Sequence, residues 1–152
     1  MKIKIIPYQN EHKARFREMN LGWLDQYHLT ESHDLIVLDD PEGTVLDKGG
    51  YIWLAEADGN IVGSIGLMKE EGGVYELIKM GVVADYRRNG ISKMLIETCL
   101  EKAREIGVKK LILFSNHQLQ TAINTYEKYG FRHVAVHDSP FVTADVMMEL
   151  IL

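Results

Sequence analysis

A run of β-branched and apolar residues, Val74 to Val83, leads through Arg87-Arg88-Asn89-Gly90 into an apolar stripe at helical spacing. That stripe is Ile91, Leu95, Cys99, Ala103 and Ile106, with Met94 beside it. The shift from a two-residue to a 3.6-residue period predicts a strand, a tight turn and an amphipathic helix. Gly107 closes the helix in the left-handed conformation that glycine adopts without steric cost. Leu111–Phe114 then reads as a compact buried strand. A helix joining two such strands implies a right-handed parallel crossover, and this one unit commits the chain to a sheet with helices packed on it.

The flanks extend the same pattern. Lys2 to Pro7 alternates with Ile3 and Ile5 on one face and reads as a strand. Residues 10–27 carry a helical pattern weakened by Gly22, and a second helix is predicted over Glu31 to Asp39 with Thr30 as its N-cap. Residues 40–50 are rich in turn formers and read as an exposed loop. Tyr51–Ala57 and Ile61–Met68 flank Asp58-Gly59-Asn60, a hairpin signal, and Val74–Val83 adds the third strand of a meander. Residues 118–129 form a further helix stopped by Gly130, and strands Phe131–His137 and Ala144–Leu150 complete the chain. The predicted order is β-α-α-β-β-β-α-β-α-β-β: an α/β fold with one mixed sheet (α+β) and helices on both faces.

Composition narrows the function classes. At 152 residues, without a repeat or a dividing linker, residues 1–152 read as a single domain. A hydrophobic share of 46% against 26% charged residues argues against disorder. No apolar stretch approaches the ~20 residues that span a bilayer, and no secretory leader is evident. The single cysteine, Cys99, excludes an internal disulfide and suits a reducing compartment, so a cytoplasmic location is expected. Cys99 itself sits on the buried stripe and reads as packing. A net charge of −5 argues against a nucleic-acid partner. His28, His33, His133 and His137 lack the spacing of a metal site, and no metal is expected.

The turn after Val83 carries the chemistry. A strand-to-helix turn presents unpaired N–H groups at the positive end of a helix dipole, which suits an anion. Gly90 allows close approach of a phosphate, and Arg87 and Arg88 add fixed positive charge. Physics alone leaves two readings: a phosphate or pyrophosphate site, or a tight turn with solvated arginines.

Arg87-x-x-Gly90-x-Ser92, after a Val-rich strand and before an apolar helix, resembles the Q/R-x-x-G-x-G/A pyrophosphate motif of the GNAT acetyltransferases. Ser92 departs from the usual Gly or Ala, by the smallest step available. Downstream, Ser115-Asn116-x-x-Leu119-x-x-Ala122-Ile123-x-x-Tyr126-Glu127-Lys128-x-Gly130-Phe131 resembles the family's strand end and tyrosine-bearing helix. The element order matches over nearly the whole chain.

The resemblance implies acetyl-CoA as acyl donor, lying where a central parallel strand pair, about residues 76–83 and 110–115, splays apart. Arg87, Arg88, Asn89, Gly90, Ile91 and Ser92 would grip its pyrophosphate. The pantetheine arm would pair with the backbone of Met80 and Val82, and an N–H near Met80 would stabilise an oxyanion. The side chains of Met80 and Val82 are equally well read as core. Tyr126 is the candidate general acid, protonated at neutral pH by its ordinary pKa of about 10; sharing a face with Leu119, Ala122 and Ile123, it also reads as a core tyrosine. Glu76, among Val74, Tyr75, Leu77 and Ile78, is the candidate general base, or else a carboxylate that holds a loop or a substrate cation. Asn116 would hold a cofactor amide or cap the next helix.

The implied activity is transfer of acetyl to a primary amine of a small molecule or peptide, by direct attack through a tetrahedral intermediate. A non-catalytic acyl-CoA sensor on the same fold is the rival, and an unrelated phosphate-binding α/β domain a weaker one. Homodimerisation through the terminal strands is a family-based expectation. Residues 20–50 and His137–Thr143 should line the acceptor pocket, with Trp23, Tyr27, Tyr51 and Phe141 as its aromatic candidates.

Overall fold

The computed structural model describes residues 1–152. Seven strands form one sheet: β1 (Ile3–Pro7), β2 (Tyr51–Ala57), β3 (Asn60–Lys69), β4 (Val74–Val82), β5 (Lys110–Ser115), β6 (Arg132–Val134) and β7 (Val146–Ile151). Their spatial order is β1-β2-β3-β4-β5-β7-β6. Only β4 and β5 are parallel, joined over the sheet by α3 (Ile91–Glu105) as the crossover argument requires. The remaining helices are α1 (Lys13–Gln26), α2 (Ser32–Asp39) and α4 (Gln120–Lys128).

Two apolar layers sandwich the sheet. On one face, Leu95, Ile96, Cys99 and Ala103 of α3 meet Ala55, Ile65, Leu77 and Leu111, and Ile123 and Tyr126 of α4 extend the layer. On the other, Phe16 and Leu24 of α1 and Val37 and Leu38 of α2 pack on Ile52, Leu54 and Ile78. No helix is long and apolar enough to cross a membrane.

Four local expectations are corrected. Thr30 does not cap α2; Glu31 is the N-cap, its N–H donating to Asp34 Oδ2 at 2.9 Å, while the Thr30 hydroxyl turns back to Asp25. Residues 40–50 are not simply an exposed loop. Glu42–Leu46 winds into one wide π-helical turn that buries Val45, and Gly50 lies so close to the sheet that a Cβ there would sit 2.4 Å from the Leu67 carbonyl oxygen. The strand predicted over Phe131–His137 pairs only at Arg132–Val134; β7 begins at Val146, so residues 136 and 137 have no strand opposite them. The last strand is correspondingly Val146–Ile151, shifted from Ala144–Leu150, and residues 135–145 are freed as a long connection over the sheet.

Candidate active site

β4 and β5 pair only at Val74–Lys110, Tyr75–Leu111 and Glu76–Ile112. Beyond Glu76 the strands part, leaving a V whose sides are β4 from Leu77 onward and the end of β5. On its outer side β4 stays bonded to β3, with Ser64 opposite Gly81 and Val83 N donating to Val62 O at 2.8 Å. Backbone polar groups alternate in direction along a strand, so those of Met80 and Val82 face the V.

A β-bulge re-aims this stretch. Gly66 opposes Ile78 but Ser64 opposes Gly81, so β4 carries one extra residue, Lys79, at φ +52°. Such an insertion reverses which side chains face each side of the sheet. The bulge is fixed from the α1 side: Ser64 Oγ donates to Lys79 O at 2.6 Å, and Asn20 Nδ2 reaches Ser64 Oγ at 3.2 Å and Phe16 O at 2.9 Å. Trp23 Nε1 donates to Asn20 Oδ1 at 3.0 Å and packs over Gly81, where a Cβ would come within 2.7 Å of the indole. Lys79 itself is buried and ion-paired with buried Asp34 of α2, its ammonium lying 5.5 Å from the Phe141 ring centroid.

The turn into α3 presents unpaired donors at a helix start, which suits an anion. Arg88 and Gly90 both take positive φ, +66° and +75°, and the first helical bond is Met94 N to Gly90 O at 3.1 Å. No protein group accepts from the N–H groups of residues 88–93. A Cβ at Gly90 would meet nothing within 4 Å, so its glycine serves the positive φ and leaves the turn open above. Asn89 braces the turn, its Nδ2 donating to Tyr86 O at 3.0 Å and Arg87 O at 3.2 Å. Arg87 folds back, its Nε donating to Val82 O at 3.0 Å.

One cavity of about 90 Å³ joins the arms of the V, and Glu76, Met80, Ser115, Asn116 and Tyr126 all line it. Glu76 is only 4% exposed. Burial, reinforced by the neighbouring Glu70 carboxylate, pushes it up to about 8, and Lys79 opposes that rise. Burial also raises the Tyr126 phenol, with Cys99 adding to the shift, so it stays protonated and able to donate. The fixed donors, a buried carboxyl and a protonated phenol suit attack on a carbonyl whose leaving group needs a proton.

The sequence pattern of the Acetyltransferase (GNAT) family matches residues 12–131. The chain belongs to the GNAT acetyltransferase family. It is 34% identical over 100 residues to the uncharacterized N-acetyltransferase YjgM of Escherichia coli K12, covering 64% of this chain and 60% of that protein. It is 29% identical over 128 residues to the probable N-acetyltransferase camello of Xenopus tropicalis, covering 78% of this chain and 58% of that one. The chain thus spans about three fifths of the length of either relative. A GNAT-family acetyltransferase structure from Staphylococcus aureus MU50 superposes with a TM-score of 0.90 at 26% identity, over 97% of this chain and 98% of that one. The PaiA N-acetyltransferase of Thermoplasma acidophilum, solved with coenzyme A, shares the fold at a TM-score of 0.78 and 18% identity, over the full length of both.

Within this GNAT fold, Arg87–Ser92 form the turn, Met80 and Val82 edge the V, and Glu76 and Tyr126 meet at one cavity. Asn116 has both ends of its amide engaged, donating to Thr143 O at 2.9 Å and accepting from Gln118 N at 3.0 Å. Of the aromatic candidates, Trp23 and Phe141 line the cavity. Tyr51 stacks on Trp53 at the α3 layer and Tyr27 packs among the α1 residues, so neither reaches it.

Sequence reasoning missed three groups. Asp34 and Lys79 form a buried ion pair across 45 positions of chain. Glu31 clamps the connection after β6, accepting from Val142 N at 2.8 Å and Thr143 N at 2.9 Å. Glu70 stands against Glu76. The one local signal for any of them was a charged residue, Lys79, inside an apolar strand.

Proposed function

We propose that the chain is an N-acetyltransferase that moves an acetyl group from acetyl-CoA to a primary amine. The observation that carries this reading is the V between β4 and β5, with free N–H groups at its α3 end and Glu76 and Tyr126 on one cavity. Apart from Val82 O, which accepts from Arg87 Nε, the V is open on both strand edges, and the turn has donors without acceptors, which fits a pantetheine arm and a pyrophosphate. Arg88 and the free Nη groups of Arg87 would supplement the N–H groups of Asn89, Gly90, Ile91 and Ser92 there.

In this reading Glu76 takes a proton from the acceptor's ammonium, and the neutral nitrogen attacks the thioester carbon. Main-chain N–H at Met80 stabilises the oxyanion as the C–N bond forms. On collapse the C–S bond breaks and Tyr126 protonates the departing sulfur; the second nitrogen proton restores the phenol, and the proton held by Glu76 leaves to solvent. The products are the N-acetyl amide, free CoA and one net proton.

The Glu76 carboxyl must be ionised to act. With its pKa pushed up to about 8, acetyl-CoA-dependent thiol release, measured as kcat/KM for an amine acceptor, is expected to rise tenfold per pH unit below about pH 8. It should level off above that point. A profile flat from pH 6 to 9 would remove Glu76 as the base.

A further inference from the structure

Glu76 opens on two sides. Besides the V it lines a separate groove of about 440 Å³ on the α1/α2 face of the sheet, where those helices leave β4, β5 and β7 uncovered. Even-numbered residues of β4 and β5 face it by strand alternation. The groove is walled by the β3–β4 turn on one side and by residues 137–140 on the other.

Four carboxyl groups face this groove: Glu70 and Glu71 from the turn, Glu76 from β4 and Asp138 from the opposite wall. Lys110 is its one ammonium, already paired with Glu149 at 3.7 Å, and His137 also lines it with Nδ1 3.2 Å from Asp138 Oδ2. Burial, with Lys79 nearby, holds the His33 imidazole below its ordinary value, so it adds no charge at neutral pH. Glu76 is nearly fully buried, its hydrogen-bonding neighbour is the Glu70 carboxyl, and no cation is paired with it. Between the carboxyls the floor is apolar, formed by Ile112, Phe114 and Met147.

Resting on the acetyl-transfer reading, we infer that the groove seats the acceptor and that the acceptor is an aliphatic diamine or polyamine. One ammonium lies between Glu76 and Glu70 as the reacting nitrogen, the methylene chain crosses the apolar floor, and a second ammonium meets Glu71 and Asp138. A carboxylate-bearing acceptor finds no unpaired cation there. The wall of residues 137–140 is anchored just beyond the groove, by Glu31 at Val142 and Thr143 and by Asn116 at Thr143, which favours a slender free amine over a folded protein.

Three acceptors of matched length separate the cases: 1,5-diaminopentane, 1-aminopentane and 5-aminopentanoate. Each exposed carboxylate–ammonium contact contributes up to about fivefold, so the diamine is expected to exceed the monoamine by about tenfold in kcat/KM. The amino acid should fall below both. Asp138→Asn and Glu71→Gln should each shrink the diamine-to-monoamine ratio, mainly through KM. An amino acid equal to or better than the diamine overturns the acceptor assignment and leaves acetyl transfer standing. So does acetyl-CoA binding with no turnover of any of the three. Absence of acetyl-CoA binding overturns the underlying reading instead.

Discussion

Glu76→Gln is expected to lower kcat by about 10²- to 10³-fold, within the range ascribed to a positioned general base. Glutamine keeps the shape and loses the proton acceptor, so acetyl-CoA binding, measured by calorimetry, should be little changed. Stability should move the other way. The Glu76 carboxyl is raised from an ordinary 4.5 to about 8, so the folded state holds a proton that the unfolded chain gives up. Its contribution is fully present below the unfolded value and is lost as pH rises through about 8. The glutamine variant has no such loss and should melt higher than the parent at pH 9, with the gap closing at pH 5. A variant with parental kcat would show that waters or another group take the proton.

Asp34→Ala should cost about 3–5 kcal/mol of folding stability, because it strands the Lys79 ammonium, 5% exposed, without a counter-charge. It also removes the acceptor for the Glu31 N–H at the start of α2. The double replacement Lys79→Met with Asp34→Leu should recover most of that loss, since a buried ion pair exchanged for apolar groups of similar volume is often near neutral. Urea unfolding of the parent, the single and the double variant checks both. A single variant within about 1 kcal/mol of the parent would mean that water reaches the pair.

Much of this architecture was legible in the sequence because it is written locally. The Val74–Val83 strand, the glycine turn and the Ile91–Ile106 stripe each carry their own period, and the crossover follows from their order. The bulge at Lys79 left no such trace. It depends on Ser64 and Asn20, which approach from β3 and α1. The Glu31 clamp joins groups 111 and 112 positions apart, and the short β6 reflects where its partner strand begins. The V itself follows from a count of strand pairs, whereas the acidic groove arises from segments whose charges look like ordinary solvated turns in the sequence.

CoA is expected to lie in the V with its pyrophosphate on the turn into α3. Amide NMR titration with CoA tests it most directly. One saturable site is expected, with the largest shifts at the N–H groups of residues 88–93 and smaller ones at Met80 and Val82. Shifts confined to other elements, or a spectrum unmoved by CoA, would contradict it.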